Sequence, residues 1–450
     1  MKYRILTAAA LLIAVAAPLS AKKTAKAQPS RVPVYNTELP DKYQAGTQQY
    51  AYPVPEHGVP ALTPAPEGYE PFHLEHYGRH GSRWLIGKTV YTGPVDMLAH
   101  ADSLGQLTPS GQELLRRLRL IAEASVGRDG ELTPLGARQH RGIARRITQN
   151  FPQLFTDSTV INARSTKVIR CILSMANEVS ELERLFPGVK TSMDASQTSQ
   201  EILAPSDKSI VGALADSARA SFARPLRQRT DSDHSAFIGK VFTDPQFARD
   251  SLQADLIFGK VADICVNSQS HDGLYDLYEW FTLPELQGKW QNNNAGWYIH
   301  GGNTSLTDFR APLREGPLLR DWLAGADTSV VRLNPSLNMR FGHDSVVLPL
   351  VCCLELGTYG ADITDADSLA GLWRDYEITP MASNVQMIFY RPEGRGAARP
   401  EDVLVKIMLN EQETTMPVAT DSWPYYPWTA VRAFMQGKLD KYDAIKSASK

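Results

Sequence analysis

Pro71-Phe72-His73-Leu74-Glu75-His76-Tyr77-Gly78-Arg79-His80-Gly81-Ser82-Arg83 joins a short apolar run to a basic, glycine-bearing loop. Phe72 to Tyr77 is bounded by Pro71 and Gly78, which predicts a strand running into the loop. In that loop His80 lies between Arg79 and Arg83. Two guanidiniums can fork around a tetrahedral oxyanion and bind it bidentately. Gly78 and Gly81 let backbone N–H groups approach the same anion. An imidazole in their midst can donate a hydrogen bond or attack phosphorus. Neighbouring cations disfavour its protonated form, which keeps it nucleophilic. On a solvated surface the same residues would be an ordinary basic loop, so the rest of the chain has to decide.

Working outward, Ser110 and Glu113 have capping-box spacing ahead of a face made by Leu114, Leu115, Leu118 and Ile121. Thr133 caps a second helix with Pro134 in its first turn, and His140 falls on its apolar face as a packed core histidine. Thr159 to Ala163 predicts another strand, ending at Arg164. Ser165 is then placed to cap a helix carrying Val168, Ile172, Met175, Val179 and Leu182. From about Arg184 to Val330 the chain is polar and rich in Gln, Asn and Ser, which predicts a mainly helical insertion. The strand pattern returns at Ser336 to Gly342, followed by His343-Asp344 and the apolar helix Val346 to Leu356. Strands at Asn384 to Arg391 and Val403 to Leu409, then a helix at Trp428 to Ile445, close the chain.

The expected fold is α/β, a central, mostly parallel sheet flanked by helices with an inserted α-helical cap. The core takes residues 66–183 and 331–450, and the cap 184–330. Ligands of such sheets sit at the carboxyl ends of the strands. That rule predicts that Arg79-His80, Arg164 and His343-Asp344 converge.

Composition narrows the function. At 450 residues the chain has room for two or three domains. Its 43% hydrophobic and 21% charged content excludes a disordered chain, a collagen and a multi-span membrane protein. Lys+Arg 47 against Asp+Glu 49 leaves no basic field for nucleic acid, so any anion site is local. Cys171, Cys265, Cys352 and Cys353 are too few for a disulfide scaffold and are expected as buried free thiols. Lys2 and Arg4, the apolar run to about Ala17, Pro18 and Leu19-Ser20-Ala21 predict an export signal over residues 1–21, cleaved after Ala21 or Ala27. The mature protein is then periplasmic or secreted, with no stable membrane anchor. Residues 22–65 are expected as a linker wrapping the surface.

His343-Asp344 adds what the first loop lacks. Cleaving a phosphomonoester releases an alkoxide, which leaves only when protonated. A carboxylic acid beside it can supply that proton and later activate water. Taken together, these segments resemble the histidine acid phosphatases, the second branch of the histidine phosphatase superfamily. The family signature Arg-His-Gly-x-Arg is present as Arg79-His80-Gly81-Ser82-Arg83. Leu132-Thr133-Pro134-Leu135-Gly136 with Gln139-His140 is similar to its Leu-Thr-x-x-Gly-x-x-Gln-His segment, and His343-Asp344 to its second signature. Val403-Leu404-Val405-Lys406 with Asn410-Glu411 is similar to its late strand. The resemblance spans about residues 69–415. Multiple inositol polyphosphate phosphatases usually carry His-Ala-Glu at the donor position, where this chain has His-Asp.

The resemblance implies that Arg79, Arg83, Arg164 and His343 hold the phosphoryl group. His80 forms a phosphohistidine, Asp344 acts as acid and then base, and neither metal nor cofactor is needed. Lys88 is a candidate extra contact for a polyanionic substrate. The implied substrate is a small phosphorylated molecule, with phytate or another inositol polyphosphate first. A general acid phosphatase or sugar-phosphate phosphatase is the alternative, and a non-catalytic phospho-ligand binding protein is the reading from another class.

Overall fold

The strand expected at Phe72–Tyr77 runs from Tyr69 to Arg79 (β1) and lies at the centre of the sheet. The computed structural model describes residues 38–53, 61–205, 207–230, 233–332, 334–394 and 399–448. The expected export signal at 1–21, and residues 22–37 and 54–60 of the expected linker, lie outside the described residues.

The other strands are β2 (Val160–Ser165), β3 (Lys190–Asp194), β4 (Ser336–Gly342), β5 (Asn384–Pro392), β6 (Leu404–Leu409), β7 (Gln412–Glu413) and β8 (Tyr425–Pro427). The order is β3-β2-β4-β1-β5-β6-β7, with β8 also pairing β6. β3, β2, β4 and β1 are parallel to their neighbours, whereas β5 joins β1 antiparallel and β6 joins β5 antiparallel. The α/β sheet is therefore mixed, and its parallel half carries the expected site loops. β3 is a strand at the edge of the stretch expected to be helical. Lys190-Thr191-Ser192-Met193-Asp194 shows no buried alternation, because β3 is an edge strand with its residues largely solvent-facing.

Four helices frame the first half of the core: α1 (Thr92–Ser103), α2 (Pro109–Ala124), α3 (Pro134–Asn150) and α4 (Ile169–Leu185). Thr108, not Ser110, caps α2. Its hydroxyl accepts from Gly111 N at 3.0 Å, and Pro109 fills the first position, where an N–H would go unused. Glu113 is thereby free to pair with Arg116 and Arg117. Thr133 caps α3 with Pro134 behind it, as its spacing predicts. Ser165 caps nothing. It ends β2, its hydroxyl donates to Thr166 O, and α4 begins four residues later at Ile169.

α3 and α4 cover one face of the sheet. Ile143, Ile147, Met175, Val179 and Leu182 pack there against Leu74, Ile161, Met339 and Phe341. The opposite face is covered by the helices Gly316–Val330, Asp344–Cys353 and Trp428–Ala448, through Trp322, Leu348, Trp428 and Met435. With both faces covered, β1 is buried almost throughout, as a central strand must be. Between β3 and β4 the described elements are all helical. Their own apolar core, including Phe237, Ile257, Val261 and Trp290, also takes in Leu98 of α1 and Leu114 and Leu118 of α2. The four cysteines are free and buried.

Candidate active site

β1 and β4 bring their carboxyl ends together because Arg79 stands opposite Gly342 in the parallel register. His80 N donates to Gly342 O at 2.9 Å and Arg79 N to Ser383 O at 2.7 Å, so the loop leaves the sheet already tied to two neighbours. α3 and α4 hold it next. Gly81 N donates to Ser174 Oγ (3.1 Å), Ser82 N to Gln139 Oε1 (2.8 Å), Gln139 Nε2 to Ser82 Oγ (3.0 Å), and Thr133 Oγ1 to Ser82 O (3.0 Å). Gly81 is required by close approach. A Cβ there would lie 2.5 Å from Gly136 O.

The ring of His80 is fixed by its own loop. Its Nδ1 lies 2.9 Å from Gly81 O. A carbonyl only accepts, so Nδ1 carries the hydrogen and Nε2 keeps its lone pair. Burial first, and then the charges of Arg79, Arg170 and Arg83, hold the imidazole well below its ordinary pKa, so the ring is neutral. The other imidazole, His343, packs edge-on to it at 5.8 Å between centroids, with Nε2 3.2 Å from Thr166 Oγ1. Burial brings His343 down to about 4, although Asp344 opposes the shift.

Asp344 opens the helix Asp344–Cys353. Its Oδ1 accepts from Ser345 N at 2.8 Å and its Oδ2 from Arg79 Nη2 at 2.8 Å. Burial works to raise its carboxyl, but Arg79 and Arg83 together hold it below the usual range. Arg79 also donates through Nη1 to Thr379 O (2.8 Å) and Gln48 O (2.6 Å). Arg83 donates to Trp84 O at 2.8 Å; burial and the Arg79 charge lower it to about 10, so it stays cationic at neutral pH.

Arg79, His80, Arg83, His343 and Asp344 are thus brought together, as the strand-end rule predicts. Arg164 is not. One residue short of the end of β2, its side chain lies on the sheet face beneath the helix Gly316–Val330 and pairs with Asp321, which also accepts from Arg340. Arg340 in turn pairs with buried Glu75. The cavity lined by Arg164 and Asp321, about 310 Å³, takes in no residue of the cup. The third cation bearing on His80 is Arg170, in the first turn of α4. Lys88 is exposed in the turn beyond the loop and is not among the charges that act most on His80.

The Nε atoms of Arg79, Arg83 and Arg170 are all buried without a protein partner among the described residues. Three unsatisfied guanidinium donors around one neutral imidazole is an arrangement that a tetrahedral anion completes. Arg170 was missed because Arg164 occupies the strand. The available signal was the second residue of a helix whose N-terminus faces the same carboxyl edge. Gln139 and Ser174 were also missed as supports of the loop.

His73, His76 and His140 are packed in the core. His73 and Glu75 share a face and lie 3.0 Å apart, while His76 lies on the other. His140 is buried with Nδ1 2.8 Å from Glu178. Among the described residues no group of three or more His, Cys, Asp or Glu is placed to hold a metal ion, and no helix is long and apolar enough to cross a membrane.

No protein-family model matches the chain, and no curated protein matches it in sequence. Solved structures match its fold. The Bifidobacterium longum multiple inositol polyphosphate phosphatase in complex with phosphate superposes with a TM-score of 0.73 at 19% identity, over 89% of this chain and 98% of that one. The same enzyme with inositol hexasulfate gives 0.71 at 19% identity, over 86% and 96%. The phytase from D. castellii gives 0.63 at 11% identity, over 88% and 85%. The chain therefore shares the fold of these proteins.

Proposed function

We propose that this protein is an exported phosphomonoesterase that works through a phosphohistidine at His80. The observation that carries the reading is the tautomer of His80. Nδ1 is spent on Gly81 O, which leaves the Nε2 lone pair among the guanidiniums of Arg79, Arg83 and Arg170.

The phosphoryl group is held by Arg79, Arg83, Arg170 and His343. His80 Nε2 attacks phosphorus, an N–P bond forms and the ester P–O bond breaks. The departing alkoxide takes a proton from the Asp344 carboxyl. Water then attacks the phosphohistidine, gives its proton to the Asp344 carboxylate, and the N–P bond breaks to release phosphate. The equatorial charge is met by fixed guanidiniums. Arg79 couples the two stages. Its guanidinium bonds Asp344 directly. A phosphate that takes up the charge of Arg79 and Arg83 relieves the lowering of that carboxyl and favours the protonated acid.

The names of the structural neighbours direct the first substrate to phytate, with sugar phosphates and small monoesters as the alternatives. Phosphate release from such a panel tests the reading. Wild-type turnover is expected, with none from His80→Ala. Asp344→Asn is expected to slow esters of aliphatic alcohols far more than p-nitrophenyl phosphate, whose leaving group needs little protonation. Equal loss on both would remove Asp344 as the acid.

A further inference from the structure

Ahead of the α/β core, Lys42–Gln49 forms a short helical strap capped by Asp41. It is tied to the core and to the helical region alike. Tyr50 O accepts from Met381 N, Gln49 Oε1 from Asn267 Nδ2, and the Tyr52 hydroxyl donates to Glu411. Within it Thr47 is buried with φ 48° and ψ −125°. A β-branched residue holds that conformation only where its surroundings enforce it.

The turn at Thr47 delivers Gln48. Its backbone carbonyl accepts from Arg79 Nη1 at 2.6 Å, on the guanidinium whose other amino group bonds Asp344. Its side-chain Oε1 accepts from Trp297 Nε1 at 3.0 Å and from the Thr47 hydroxyl. An indole N–H can only donate, so the carboxamide oxygen faces Trp297 and the amide nitrogen faces away. That Nε2 has no protein partner among the described residues. Thr47 and Gln49 are buried while Gln48 between them is half-buried, as are Trp297, His300, Ser345 and Asp344. Trp297 packs edge-on to His300 at 5.3 Å, and a His300 ring nitrogen lies 3.5 Å from Ser345 O. Contacts thus run from Gln48 through Trp297 and His300 to Ser345, whose backbone N–H bonds the Asp344 carboxylate. Beside them a cavity of about 540 Å³ opens between Ser345, His300, Arg314 and Arg219.

We propose that Gln48 is a substrate-binding residue of the cup, its Nε2 donating to an oxygen of the bound phosphomonoester. The assignment rests on the phosphomonoesterase reading above. It gives the N-terminal strap a direct part in binding.

The test uses the full chain, p-nitrophenyl phosphate as substrate and inorganic phosphate as inhibitor. Gln48→Met removes the donor at nearly constant shape, and KM and the phosphate inhibition constant are expected to rise about tenfold with kcat less affected. Gln48→Glu places a carboxylate against the anion. Its kcat/KM is expected to fall about a hundredfold at neutral pH and to recover as the carboxyl protonates near about pH 4.5, where its O–H can donate. This adds an ionisation to the pH profile that a merely structural loss would not. Unchanged KM and phosphate inhibition in Gln48→Met, or an equal loss at every pH in Gln48→Glu, would overturn the assignment. If either variant fails to fold, Trp297→Phe releases the carboxamide while keeping an aromatic ring. A raised KM is expected there, and an unchanged one overturns the assignment. A wild type that neither hydrolyses p-nitrophenyl phosphate nor binds phosphate would instead sink the phosphatase reading itself.

Discussion

At position 80 a ring nitrogen 2.9 Å from a carbonyl sets the tautomer, and burial, reinforced by three guanidiniums, sets the charge state. Which guanidiniums matter is a question about single residues. Arg170→Ala removes a buried donor from the cup, and kcat/KM is expected to fall by about a hundredfold, the usual cost of losing one preorganised donor. Arg164→Ala removes a partner from Asp321, which keeps Arg340, so Tm falls while kcat/KM holds. Steady-state kinetics on the two variants checks this, and the reverse pattern would return Arg164 to the cup. The contrast shows what was legible. Arg79 ends β1, His80 and Arg83 follow in its loop, and His343 and Asp344 come directly after β4, so their positions follow from the strand ends alone. Arg164 sits inside β2, where period-two alternation sends its side chain to a sheet face. Gln48 carried no signal, because its role depends on a turn at Thr47 and on Trp297, which is 249 residues away.

Among the elements, the loop after β1 depends on α3 coming close. Gly136 lies in the first turn of α3, and a Cβ there would meet Ser82 O at 2.3 Å and Ser82 N at 2.8 Å. Gly136→Ala is therefore expected to push the loop away from the helix. It should cost roughly 1–3 kcal/mol by overpacking and lower kcat. Gly437→Ala, in the exposed face of the C-terminal helix with nothing within 4 Å, is expected to stabilise by about 0.5–1 kcal/mol. Chemical denaturation of both variants, with kcat alongside, checks the pair. Helix α3 was readable because Thr133-Pro134 is a strong local start signal. The cap of α2 was misassigned because Ser110 also fits a capping box, and only Pro109 decides in favour of Thr108. Edge strand β3 escaped because a strand without a buried face has no apolar alternation to read.

Across the whole molecule, burial sets how stability depends on pH. His76, His271, His300 and His343 are brought down to about 4, and His80 well below its ordinary value. Unfolded, each titrates near about 6.5. Between those values the unfolded chain binds the proton and the folded one does not, so stability falls as pH falls. Buried Asp375, raised to about 7, and Glu315 and Glu411, also raised by burial, act in the opposite sense, because their folded forms take up protons first. The histidines outnumber them. A net loss of roughly 1.4 kcal/mol per pH unit for each excess group is expected between about pH 6.5 and 4. Urea midpoints measured at intervals across that range check the sign, and a midpoint that rises on acidification would contradict it. The central α/β sheet and its site-bearing parallel half followed from apolar runs and strand-end loops. The sharing of one apolar core by α1, α2 and the helices after residue 235 did not, because contacts between distant amphipathic faces leave no local mark.

The central claim is that the lone pair of His80 Nε2 becomes bonded to phosphorus during turnover. Quenching the wild-type protein in alkali during hydrolysis of p-nitrophenyl phosphate, then mapping the modified peptide by mass spectrometry, tests it most directly. One phosphoryl group on His80, absent from His80→Ala and lost as substrate is exhausted, is the predicted result. Full turnover with no phosphorylated His80 at any quench time would contradict it.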